Sequence, residues 1–154
     1  MEPSVPLVEQ DRLDALRARR ADLRESINGL ERALAAPSPN RLPEWFQRVH
    51  AALTGLSADF REHIDITEGA GGFYHELLAT APRLSNVVAR LTREHGQIRD
   101  SLDALLARTS GPEFPHVDRV RDIGTALLGQ LARHRQRGSD LVFSAYSVDL
   151  GGET

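Results

Sequence analysis

The chain has 154 residues, 40% of them hydrophobic and 27% charged, with a net charge of −3 and no cysteine. Those values fit one compact domain with a core of useful size, and they exclude a disulfide framework, an iron–sulfur cluster and thiol chemistry. Arginine supplies every Lys/Arg position and is interleaved with Asp and Glu, a pattern of solvated helix faces that points away from a nucleic-acid partner. No apolar run approaches the roughly 20 residues that span a bilayer, and Met1-Glu2-Pro3-Ser4 lacks the regions of a signal peptide. No membrane partner and a cytoplasmic location are the default expectations.

In chain order, a first helix is predicted from about Glu9 to Ala36, ended by Pro37-Ser38-Pro39-Asn40. Its stripe is Leu13, Leu16, Arg20, Leu23, Ile27, Leu30, Leu34. Pro43 suits the first turn of a second helix, which continues to about Glu68 with the stripe Phe46, Val49, Leu53, Leu56, Phe60, His63, Thr67. Gly69-Ala70-Gly71-Gly72 interrupts it, and Phe73 to Leu78 resumes for a turn or two. Pro82 is expected to open a third helix, running to about Arg108 with Leu84, Val88, Leu91, His95, Ile98, Leu102, Leu105 on one face. After Thr109-Ser110-Gly111-Pro112, a fourth helix begins near Pro115 and reaches about Ser144. Its stripe is Val117, Val120, Gly124, Leu127, Leu131, His134, Gly138, Leu141. The tail from Val148 to Thr154 is expected to be loose. Short connections between long helices predict one all-α domain, an antiparallel up-down-up-down four-helix bundle.

The spacing in all four stripes alternates three and four, so each stripe occupies one helix face and points at the other helices. Each is broken by one polar residue: Arg20, His63, His95 or His134. Counted from the turns at about 1.5 Å per residue, these four differ in height by only about 5–7 Å between successive helices. They can therefore share one layer in the interior. A lone core-facing histidine is usually a satisfied packing residue. Three at one level, on three helices, have the pattern of a metal site, because neutral imidazole is the commonest ligand for zinc, copper and iron.

At these residues the sequence resembles the hemerythrin-like, HHE cation-binding family. The resemblance rests on Phe60-Arg61-Glu62-His63-Ile64 with Thr67-Glu68-Gly69, on Leu91-Thr92-Arg93-Glu94-His95-Gly96-Gln97-Ile98, and on Leu131-Ala132-Arg133-His134 ahead of Asp140. It implies a four-helix bundle in which His63, His95 and His134 act as ligands, with Glu68 matching a bridging carboxylate and Asp140 a further candidate. The implied cofactor is non-haem iron, one or two atoms, and the implied ligand a small diatomic molecule or peroxide. The implied role is binding or sensing of oxygen, peroxide or iron status, not turnover of an organic substrate. A degenerate, metal-free bundle serving as an interaction scaffold is the alternative.

The family's pattern asks for a histidine on the first helix, where Arg20 stands, and a carboxylate four or five residues after His134, where Gly138 and Ser139 stand. Arg20 cannot ligate a metal. It is expected either to pair with Glu68 or Asp140 where a cation would sit, or to snorkel outward along its aliphatic stem. Glu68 lies about 140° round an ideal helix from His63, at the seam's edge unless the glycines distort the helix. His50 and His116 sit one place off their seams, His75 has no assignable phase beyond the glycines, and Glu94 reads as an interface residue able to orient a histidine.

Overall fold

The structure, a computed structural model, describes the backbone of residues 7–151 and the side chains of residue 11 and residues 14–145. Five α-helices follow in order: α1 Leu7–Ala35, α2 Leu42–Glu68, α3 Phe73–Thr80, α4 Ser85–Thr109 and α5 Val117–Gly151, with one 3-10 turn at Pro82–Leu84. The described residues contain no strand, and none of their helices is long and apolar enough to cross a membrane. The side chain of Leu13, at the tip of the first stripe, and residues 152–154 of the tail lie outside what is described.

Two boundaries differ from the sequence expectation. Pro82 opens the 3-10 turn and not the long helix, which starts at Ser85. The expected loose tail is helical as far as Gly151, because no glycine or proline interrupts the chain between Ser139 and Leu150. The glycine segment does end α2 as expected. Gly71 adopts φ +68°, and a Cβ at Gly69 would collide with the Asp65 carbonyl. The chain therefore reverses there and lays α3 back against α2.

α1 packs on α2, α2 on α4, α4 on α5, and α5 returns to α1. The four stripes form the interior of this arrangement, as their periodicity requires. Leu30, Leu53, Leu105 and Val120 have no exposed surface. Two apolar clusters result: a large one built on Leu30, Leu56, Phe60, Ile98 and Leu131, and a smaller one built on Tyr74, Leu84, Leu91 and Leu141. Along α4 the stripe passes from Leu91 in the smaller cluster through His95 to Ile98 in the larger. Along α5 it passes from Leu131 through His134 to Leu141. The histidines occupy the junction between the two clusters.

Polar ties hold the helices in register. Arg19 pairs with Glu62 at 2.6 Å, Ser26 donates to Asp59, and Trp45 Nε1 donates to the Ala36 carbonyl at 3.0 Å. Arg121 reaches back from α5 to the Leu34 and Ala36 carbonyls at 2.9 and 2.8 Å and lies over the Trp45 ring. These bonds satisfy carbonyls that the end of α1 leaves without helical partners. α5 packs tightly on α1 at Gly124, where a Cβ would stand 2.6 Å from Leu34 Cδ1. Gly124→Leu should therefore overpack this contact and destabilise the protein by about 1–3 kcal/mol, read as a lower urea midpoint at unchanged slope.

Candidate metal centre

His63 near the end of α2, His95 in the middle of α4 and His134 in α5 bring their rings together in the interior. Ring centroids are 5.0 Å apart for His63 and His95, 5.5 Å for His63 and His134, and 4.7 Å for His95 and His134. One nitrogen from each ring lies within 4.8 Å of the others. Phe60, one turn before His63, places its ring 5.7 to 6.1 Å from all three imidazoles. Tyr74, carried in by α3, stacks on His95 with centroids 5.9 Å apart. The glycine reversal is what returns Tyr74 to this position, and no periodicity carries across it.

Carboxylates set the orientation of two rings. His95 Nδ1 lies 2.6 Å from Glu68 Oε2, and His134 Nδ1 lies 2.9 Å from Glu94 Oε1. Carboxylate oxygens accept, so each Nδ1 carries the proton and each Nε2 presents a lone pair. His95 Nε2 is buried without a hydrogen-bond partner. His134 Nε2 faces His63 Nε2 at 3.4 Å, long for a hydrogen bond. Glu94 is in turn gripped by Arg137, with Arg90 at 3.8 Å.

Burial, then His95, His134 and Arg20, push the His63 pKa down to about 3. Burial and His134 lower His95 to about 3 as well, against an opposing pull from Glu94. His134 is also lowered, burial outweighing its bond to Glu94. Burial alone would raise Glu94, but hydrogen bonds from Arg137 and His134 hold it below the usual carboxylate range. Burial raises Glu68, with Arg99 opposing and Asp65 adding. The three imidazoles are accordingly neutral at pH 7, the form that can coordinate a metal.

The other expected residues separate. Glu68 joins the site, but through the outer nitrogen of His95. Asp140 does not join: it is exposed and accepts from Gln136 Nε2 at 3.0 Å, since six residues past His134 is about 240° round the helix. Arg20 is half-buried and lines one pocket with His63, Tyr74 and His134. It makes no ion pair with Glu68 or Asp140, so the expected substitution of a charge pair for a cation is absent. His75 and His116 are exposed, and His50 Nδ1 lies 3.0 Å from Thr109 Oγ1, away from the trio. Glu94, expected as an interface residue able to orient a histidine, is buried and does orient one, His134 on α5. Its signal was its place one residue before His95, which turns it about 100° toward α5.

A family model described as the hemerythrin HHE cation-binding domain matches residues 14–146. The chain belongs to the hemerythrin HHE cation-binding family. No curated protein and no solved structure gives a significant match. The hemerythrin family is one of cation binders, and the donor set of this chain fits a cation. Metal–nitrogen distances of about 2.1 Å separate ligand nitrogens by about 3.0–3.4 Å at octahedral or tetrahedral angles. The His63–His134 pair already stands at 3.4 Å, and the unpartnered His95 Nε2 supplies a third donor.

In the metal-free hemerythrin-like bundle, the unfolded chain takes up protons on histidine near pH 6.5, whereas folded His63 and His95 refuse them until about 3. Stability is therefore full above about pH 6.5 and lost progressively as pH falls toward 3; lowered Glu94 acts in the same direction. Thermal melts of metal-free protein between pH 7.5 and 4.5 should show a falling Tm, with a shallower slope in His95→Leu. A flat profile would contradict neutral burial of the trio.

Proposed function

We propose that this chain holds one non-haem iron ion between His63, His95 and His134 and serves to bind or sense a small oxygen-derived ligand, dioxygen or peroxide, or iron itself. The observation that carries this reading is the convergence of three buried ring nitrogens, one from each histidine, within 4.8 Å. Family membership supports a cation, and imidazole donors suit iron among the first-row metals. A single ion matches the donors better than two, because Glu68 and Glu94 are engaged as supports of His95 and His134 and Asp140 faces outward. The matched region also supports one domain over residues 14–146. The pairings Arg19–Glu62, Ser26–Asp59 and Ala36–Trp45 support antiparallel α1 and α2, as in an up-down-up-down bundle.

Iron, when bound, would supply open coordination positions and a change of oxidation state. The chain's own residues present and protect those positions. Glu68 and Glu94 fix the tautomers of His95 and His134 so that lone pairs face inward. Phe60 and Tyr74 cover the rings with apolar surface and restrict water. Burial raises the Tyr74 hydroxyl above its ordinary pKa, so it remains a proton-bearing donor beside the site.

Elemental analysis of protein purified without a histidine tag should find iron close to one per chain. Anaerobic titration of the metal-free protein with iron(II) should stabilise it, by about 2.7 kcal/mol at 100 times the dissociation constant. His95→Ala and His134→Ala should remove uptake, and Glu94→Ala should weaken it by about 10–100-fold. Absence of both uptake and stabilisation would leave the alternative, a metal-free bundle acting as a scaffold.

A further inference from the structure

Beside the histidine trio lies a pocket of about 120 Å³ whose charges are unbalanced. Arg20, Arg24 and Arg135 line it, and His63 and His134 form part of its wall. Among the described residues no carboxylate lies within ion-pairing distance of these three arginines. The site's acids are committed elsewhere: Glu68 to His95, Glu94 to His134 and Arg137, and Asp140 to Gln136. Arg20 and Arg135 are both half-buried where they line the pocket. A cation held by neutral imidazoles would add further positive charge at the same place.

We propose that this pocket binds a small carboxylate, seated between the guanidiniums of Arg20, Arg24 and Arg135 and the face formed by His63 and His134. Its inner end rests on the metal reading above. Guanidinium offers a planar fork of donors that matches a carboxylate. Leu23, Phe73 and Leu141 supply an apolar wall that suits a short hydrocarbon chain and gives nothing to inorganic phosphate. The volume is well below the about 300–1,000 Å³ of sites for drug-sized ligands, which selects a short-chain acid. Gly138 lines the pocket, and a Cβ there would meet nothing within 4 Å. Space is open where a side chain of α5 would otherwise stand.

The test uses sodium propionate and the whole chain, metal-free and loaded with redox-silent zinc, followed by calorimetry, with zinc uptake measured separately beforehand. Propionate should bind saturably to both forms and more tightly to the loaded one. Arg20→Gln and Arg135→Gln should each weaken binding by roughly tenfold, as for loss of a charged hydrogen bond, while zinc content is unchanged. Gly138→Asp places a carboxylate of the chain at the pocket and should suppress propionate binding in a protein whose circular-dichroism melt remains cooperative. No propionate binding to zinc-loaded protein, or binding by both arginine variants as tight as by the unaltered chain, overturns the proposal. Phosphate binding more tightly than propionate overturns the carboxylate assignment. Failure of zinc uptake overturns the metal reading instead, and Arg20-dependent propionate binding to the metal-free protein would then support the arginine pocket by itself.

Discussion

Three neutral imidazoles buried between packed helices set the terms for the rest of the molecule. A polar ring removed from water is costly unless its nitrogens are satisfied. Here the outer nitrogens of His95 and His134 bond to Glu68 and Glu94. Those bonds leave the inner nitrogens facing one another, and His95 Nε2 without a protein partner. Satisfaction of the outer edge thus creates the demand at the inner one. A cation is the partner whose chemistry answers several converging lone pairs at once.

The helical framework supports that arrangement at more than one remove. Glu94 reaches His134 from the residue beside His95, and Arg137, one turn beyond His134, holds Glu94. Two neighbouring helices are thereby cross-linked at the level of the site. The layer lies where the larger apolar cluster meets the smaller one, so packing on both sides fixes the ring positions. Phe60 belongs to the first cluster and Tyr74 to the second, and both contact the imidazoles. A site built on long helices and locked by packed neighbours keeps its geometry better than one built on loops.

Membership in the hemerythrin family and the particular donors of this chain bear on different questions. The family speaks for a cation. The donors describe a centre with imidazoles from α2, α4 and α5 and an arginine from α1. Arg20 contributes positive charge instead of a lone pair, and the structure gives it a pocket and not a carboxylate. That exchange puts positive charge at the approach to the centre, where Arg20 lines the pocket beside His63 and His134.

Much of this was present in the residue order. Alternating spacings of three and four marked the inward face of each long helix, and residues such as Leu30, Leu53, Leu91 and Val120 are buried where that phase places them. The same phase aimed His63, His95 and His134 at one another. Rotational phase is a local property, set by residues a turn apart, and it holds as long as the helix is unbroken. Asp140 illustrates the point: its angle from His134 was calculable, and only its nearness in sequence suggested a ligand. Tyr74 lay beyond a four-residue break and was placed by the reversal at Gly71 and the packing of α3. Glu68 and Glu94 were visible as residues, but their partners lie on other helices. Helix periodicity determined which side chains face inward; only the assembled helices decided which ring nitrogen each carboxylate holds, because that depends on the heights and rotations at which separate helices pack.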